Sequence, residues 1–181
     1  MRIIGGALKG RRLKSPSWDG LRPTSDKLRE TLFNILAPRV SGAHVLDAYA
    51  GTGALGIEAI SRGAASVTFV EHDRRAQALI EENLAHCGLV KGCVIIRASV
   101  ASAIDDFTHA RASFDLILLD PPYGDAAAEV LGAASELLAQ SGVLILEHAR
   151  RHAAAVSAGR LVRTRRVTSG ESALSFYSCL P

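Results

Sequence analysis

Residues 114–123 read Phe114-Asp115-Leu116-Ile117-Leu118-Leu119-Asp120-Pro121-Pro122-Tyr123, and they decide the fold. An apolar run of this length, closed by prolines, reads as a strand buried on both faces of a parallel sheet. The prolines stop the ladder because they have no N–H to donate, and they hold the following residues extended. Open α/β sheets bind ligands at the carboxyl ends of such strands. There the chain presents the Asp120 carboxylate, the Pro121 backbone carbonyl and the flat ring of Tyr123. A planar base with an exocyclic amine suits that set: the ring stacks on it, and two oxygens accept its N–H bonds. The plain alternative is a strand that ends in a Pro-Pro turn.

Outward from this run, a βα alternation begins at residue 43. Strands are predicted at 44–48, 66–71, 93–97, 114–119 and 142–147, and helices at 54–62, 74–86, 99–108 and 125–139. The pattern predicts a doubly wound, mostly parallel sheet. Residues 160–167 and 173–177 are strand-like and meet at a short turn around Gly170, which adds an antiparallel edge pair and makes seven strands. Ahead of the alternation, residues 2–14 read as a short two-stranded ribbon and 16–20 as loop. Thr24 or Ser25 can cap a helix whose apolar positions Leu28, Leu32, Ile35 and Leu36 share one face, ending before Pro38. The chain thus divides into an extension, 1–40, and an α/β domain, 41–181.

At 181 residues there is room for one domain with a sizeable core. No stretch of 18 apolar residues occurs, and Met1-Arg2-Ile3-Ile4-Gly5-Gly6 has no signal-peptide pattern, so a cytoplasmic chain is expected. Cys87, Cys93 and Cys179 lack metal-ligand spacing and read as packing residues, and no metal is expected. The net charge of +3 hides a partition. Residues 1–40 carry nine Lys/Arg against three Asp/Glu, residues 41–148 six against fourteen, and residues 149–181 six against one. Both ends are basic, so a polyanion would meet the termini; the bland reading is two solvated faces.

Residues 45–56, Val45-Leu46-Asp47-Ala48-Tyr49-Ala50-Gly51-Thr52-Gly53-Ala54-Leu55-Gly56, place a glycine-rich turn between the first core strand and its helix. Gly51, Gly53 and Gly56 satisfy G-x-G-x-x-G, and Glu71 closes the second strand, which is also the dinucleotide fingerprint. Electrostatics separates the options. Pyrophosphate needs backbone N–H groups without an anion beside them, whereas Asp47 ends the strand just before the turn. S-adenosylmethionine carries a sulfonium and an α-ammonium and no phosphate, so an acidic strand end suits it. Asp47 orients the turn or holds a cation, and Glu71 is placed to chelate ribose hydroxyls. The candidate cofactor contacts are Asp47, Ala48, Gly51, Gly53, Glu71, His72, Ser99, Val100 and Asp120. Asp120, Pro121, Pro122 and Tyr123 are the candidate catalytic residues. An aromatic amine is a poor nucleophile, and two acceptors on its hydrogens would turn its lone pair outward.

This pairing of motifs resembles the class I S-adenosylmethionine-dependent methyltransferases that act on exocyclic amines of nucleobases. The extension carries Arg2-Ile3-Ile4-Gly5-Gly6, Lys9-Gly10-Arg11-Arg12-Leu13 and residues 21–36, LRPTSDKLRETLFNIL. With DAYAGTGALGIEAISRGA (47–64), VEHD (70–73), LDPPY (119–123) and LILEHARR (144–151), it resembles the bacterial 16S ribosomal RNA guanine-N2 methyltransferases of the RsmD type over almost its whole length. The resemblance implies a Rossmann-like fold, S-adenosylmethionine as donor, and a guanine N2 amine of 16S rRNA as target, on an assembled or assembling small subunit. Many relatives have Asp where this chain has Ser99. Lys9, Arg11, Arg12, Lys14 and Arg22 are the candidate phosphate contacts, followed by Arg163, Arg165 and Arg166. Two rivals stay open. A DNA adenine-N6 methyltransferase would share the Asp-Pro-Pro-Tyr motif, but only 58 residues follow Tyr123, too few for a DNA-reading module. A non-catalytic RNA-binding assembly factor would not need Asp47, the glycine turn, Glu71 and Asp120. A dinucleotide oxidoreductase is disfavoured by Asp47.

Overall fold

The computed structural model describes residues 1–18, 25–121 and 127–180. Five strands run parallel: β1 (His44–Ala48), β2 (Ser66–Val70), β3 (Cys93–Ile96), β4 (Phe114–Leu119) and β5 (Leu138–Ala149). Antiparallel strands β6 (Ser157–Ala158), β7 (Leu161–Ser169) and β8 (Ser172–Cys179) complete the sheet in the order β3-β2-β1-β4-β5-β8-β7-β6. The helices are α1 (Asp26–Val40), α2 (Ala54–Ser61), α3 (Arg74–His86), α4 (Val100–His109) and α5 (Ala127–Ala134).

The apolar run of β4 is buried on both sides, and its alternation assigns the two layers. Leu116 and Leu118 pack with Phe33 of α1, Ile57 of α2 and Ile80 of α3. Ile117 and Leu119 pack with Ile104 of α4 and Leu131 of α5. No helix among the described residues is long and apolar enough to cross a membrane.

The departures from the sequence reading have local causes. An eighth strand is present because the two residues of β6 pair with Leu161 and Val162; a strand that short has no period to read. Helix α1 runs through Pro38 to Val40. A proline in the last turn removes only its own N–H, and Val40 is buried in the core beyond it. Phe33, rather than Ile35, lies in the buried face of α1. The helix expected to reach residue 139 stops at Ala134, and a single 3-10 turn (Ser135–Leu137) leads into β5. Ser135 Oγ donates to the Gly132 carbonyl at 2.6 Å, and Arg160 donates through Nε to Ser135 O at 2.9 Å and through Nη2 to Leu138 O. These side chains take carbonyls that further helix would have used. β5 therefore starts four residues earlier than expected, with a register shift opposite Phe114 and Leu116.

The expected N-terminal ribbon forms as a short antiparallel pairing around an Arg2–Arg12 bridge, with Ile3 N donating to Arg11 O at 2.9 Å, Gly10 N to Ile3 O at 2.8 Å and Leu13 N to Met1 O at 3.1 Å. Side chains of α2 and α3 also hold that segment. Ile4 and Gly5 donate their amides to the Glu58 carboxylate, both at 2.8 Å, and Arg62 Nε donates to it at 2.7 Å. A fully buried carboxylate is tolerable because charge-assisted donors surround it. Ser61 Oγ accepts from Leu8 N at 2.9 Å and donates to Gly5 O at 2.6 Å. Asn83 Oδ1 accepts from Lys14 N at 2.7 Å.

Candidate functional site

The site is built where β1, β2 and β4 end side by side. After Ala48 the chain turns through Tyr49, whose φ of 67° is a left-handed conformation unusual for a bulky residue. Ala50 N donates to Val70 O at 3.0 Å and Gly53 N to Ala50 O at 2.7 Å, which closes the turn. Gly53 is the N-cap of α2 with φ 75°, a conformation its missing Cβ makes accessible. Gly56 has a different reason. A Cβ there would lie 2.3 Å from Phe69 Cε1 and 2.7 Å from Val67 Cγ1, so glycine permits the close crossing of α2 over β2.

Two carboxylates brace this turn. Asp47, only 1% exposed, accepts from Gly56 N at 2.8 Å through Oδ2. Burial pushes its pKa up to about 7; the Gly56 bond opposes this, and the nearby Glu71 charge adds to it. Glu71 Oε2 accepts from Gly51 N at 2.9 Å, while Oε1 accepts from His72 N at 2.8 Å and Asp73 N at 2.9 Å. A carboxylate offers about four lone-pair positions, so part of Glu71's capacity is spent on the turn and the rest sits on the oxygen facing it. His72 is exposed, with Nδ1 3.3 Å from Glu71 Oε1.

Asn83 is the residue that sequence reasoning missed. It is fully buried, and its Nδ2 donates to Thr52 O at 3.0 Å and to Lys14 O at 3.2 Å. With the Lys14 amide on Oδ1, one side chain ties the basic segment to the cofactor-type turn. The available signal was an Asn on the apolar face of α3, in line with Ala76, Leu79 and Ile80. Gln77, also on that face, donates to Glu71 O at 2.7 Å.

At the end of β3, Ser99 is the N-cap of α4 and its Oγ accepts from Ser102 N at 3.2 Å; Val100 is buried behind it. Asp120 and Pro121, both half-buried, follow β4, which pairs directly with β1. Pro122 and Tyr123 lie outside the described residues, as do Thr24 and Arg22. Lys9, Arg11, Arg12 and Lys14 are all exposed; Lys14 pairs with Glu82 at 2.9 Å and Arg11 Nη1 reaches His86 O at 3.5 Å. Arg29 is buried and ion-paired, with Nη2 2.8 Å from Asp26 Oδ1. At the far edge Arg165 is exposed, while Arg163 and Arg166 each donate to a backbone carbonyl, of Ala154 and of Arg150, at 2.8 Å.

The family profile described as conserved hypothetical protein 95 matches residues 1–178. The chain belongs to that family. It is 35% identical over 180 residues, 98% of each chain, to a Bacillus subtilis protein named "Putative rRNA methyltransferase YlbH". It is 42% identical over 123 residues to the ribosomal RNA small subunit methyltransferase D of Escherichia coli, a match that spans 68% of this chain and 60% of that one. Among solved structures, the E. coli protein titled "Putative methyltransferase yhhF" superposes with a TM-score of 0.84 at 30% identity, covering 98% of this chain and 96% of that one. The family's fold is thus the Rossmann-like class I methyltransferase fold, as the strand order and the turn after β1 also indicate.

Proposed function

We propose that this chain transfers a methyl group from S-adenosylmethionine to the exocyclic N2 amine of one guanine in 16S ribosomal RNA, in the cytoplasm, on the small subunit or its assembly intermediate. One observation carries the reading: β4 lies beside β1, so Asp120-Pro121 opens next to the glycine turn. The names of the relatives above, an rRNA methyltransferase and a small-subunit rRNA methyltransferase, support the same target.

The residues present fit S-adenosylmethionine. Asp47 and Glu71 already repel one another across the turn; a pyrophosphate would add to that repulsion, whereas a sulfonium and an ammonium relieve it. When bound, the cofactor supplies a methyl group on a positively charged sulfur with a neutral thioether as leaving group. Glu71 accepts from ribose hydroxyls with the capacity its own turn leaves it, and His72 covers that edge. The backbone of Ser99 and Val100 lines the adenine, the Ser99 hydroxyl being engaged as a helix cap. Ala48, Gly51 and Gly53 form the floor.

Asp120 and the Pro121 carbonyl accept both hydrogens of the target amine. Holding them draws the nitrogen toward a tetrahedral shape and turns its lone pair out of the ring, which is the rearrangement the transition state requires. Pro122 keeps that carbonyl free of an amide partner, and Tyr123 stacks on a base taken out of its helix or loop. Residues 1–40 form the RNA-facing extension, with Lys9, Arg11, Arg12, Lys14 and Arg22 on phosphates; 41–181 is the catalytic domain. Asp120→Ala tests the assignment: methyl transfer to rRNA should vanish while calorimetric binding of S-adenosylmethionine stays within a few-fold of the parent. Near-normal turnover would contradict it.

A further inference from the structure

We infer that Glu147 chooses the base: its carboxylate accepts the ring N1–H of guanine while Asp120 and Pro121 hold the neighbouring exocyclic amine. The inference rests on the function proposed above and names what selects guanine within it. An acceptor pair for an –NH2 group is served equally by adenine and by guanine. The two bases differ at the adjacent ring nitrogen, where guanine bears a hydrogen and adenine a lone pair. An enzyme that takes a base out of its stack reads this edge by hydrogen bonds. A carboxylate beside the amine site therefore attracts guanine and repels adenine.

β5 supplies one in register. β4 and β5 are parallel and pair Leu118 with Ile145 and Leu119 with Leu146. The first residue after β4 is Asp120 and the next residue of β5 is Glu147, on neighbouring strands whose usual spacing is about 4.8 Å. Alternation puts both on the same face. Val143 and Ile145 lie in the layer under α1, α2 and α3, as do Leu116 and Leu118, while Leu144, Leu146, Ile117 and Leu119 lie in the other. Leu174 of β8, opposite Glu147, belongs to the first layer too. Glu147 is half-buried and follows five consecutive buried residues, so its carboxylate stands at the mouth of the core on the strand's open end.

The order of the strands makes the placement directional. Glu71 ends β2, the glycine turn follows β1, Asp120 follows β4 and Glu147 lies toward the end of β5. A base whose amine points from β4 toward the turn presents its N1 on the β5 side. Beyond Glu147 the chain turns basic: Arg150 and Arg151 are exposed, and Arg166 is bonded to the Arg150 carbonyl. The nucleotide's phosphates have cations to meet on that side.

The test uses the full chain, tritiated S-adenosylmethionine and a ligated rRNA whose acceptor guanine is replaced by 2-aminopurine. That base keeps the amine but has a bare N1. The parent enzyme should use guanine roughly a thousandfold better in kcat/KM, since a site built to bond an N–H rejects the analogue lacking it. Glu147→Gln can accept N1–H through its amide oxygen or donate to a bare N1 through its nitrogen, so 2-aminopurine should be used at least as well as by the parent and the preference for guanine should collapse. Equal use of both bases by the parent overturns the inference without any variant, as does an equal loss on both bases in a Glu147→Gln protein that still binds cofactor. Absence of guanine methylation by the parent refutes the proposed function itself, a result distinct from methylation without discrimination.

Discussion

Replacing Asp47 with Asn turns the electrostatics of the glycine turn into a measurable pH dependence. The native carboxyl has its pKa raised from 3.8 to about 7, chiefly by burial, against the stabilising bond from Gly56 and with the added repulsion of Glu71. An acid whose pKa is raised on folding binds its proton more tightly in the native state than in the unfolded chain. Its contribution is therefore fully present below pH 3.8, falls as pH climbs through that window, and is gone above about 7. Each unit is about 1.4 kcal/mol. Between pH 5 and pH 8 the parent crosses about two of those units, so it forfeits about 3 kcal/mol through this one group. Asn carries no charge at either pH and can still accept from Gly56 N–H. The cost of its extra amide hydrogens is the same at both. Urea unfolding of parent and variant at pH 5 and pH 8 should show the variant gaining about 3 kcal/mol on the parent, whatever the sign of the difference at pH 5. A stability difference that is identical at the two pH values would refute the raised pKa of Asp47.

Three further outcomes follow from named contacts. Asn83→Leu leaves the Lys14 amide and the Thr52 and Lys14 carbonyls without their partner, which should cost about 3 kcal/mol by denaturant titration; parental stability would contradict the bridging role. Gly56→Ala forces a methyl group against Phe69 and should cost about 2 kcal/mol, with part regained when Phe69 is shortened to Leu; an unchanged melting temperature would show that α2 can shift freely. Removing Lys9 and Arg12 should lower the slope of log affinity against log salt for small-subunit rRNA by about 1 to 2, and an unchanged slope would show these cations to be ordinary surface.

The elements that could be read from the chain are those whose signal is local. β4 was legible because Leu116 to Leu119 are apolar without interruption behind Phe114 and prolines end the run, and β1 because a strand-ending acid meets a glycine turn. From these two, the side-by-side placement of the turn and Asp120 followed. What escaped depends on bonds between residues far apart in sequence. Arg160 ends a helix 25 residues upstream, Glu58 holds Ile4 and Gly5 across more than 50 positions, and Asn83 reaches Lys14 across 69. Periodicity carries no information on such pairs. Both buried polar residues nonetheless left a trace: each interrupts a helix face that is otherwise apolar, and a polar group there must find a partner. The left-handed backbone of Tyr49 left none, since the neighbouring glycines already explain a turn.

The proposed reaction is methyl transfer to a guanine amine of small-subunit rRNA. Its most direct test combines the purified full chain with labelled S-adenosylmethionine and small subunits from cells lacking the gene, followed by nucleoside mass mapping of the 16S rRNA. The expected result is label in N2-methylguanosine at a single position. Label in N6-methyladenine, or no label in rRNA from a protein that binds the cofactor, would contradict it.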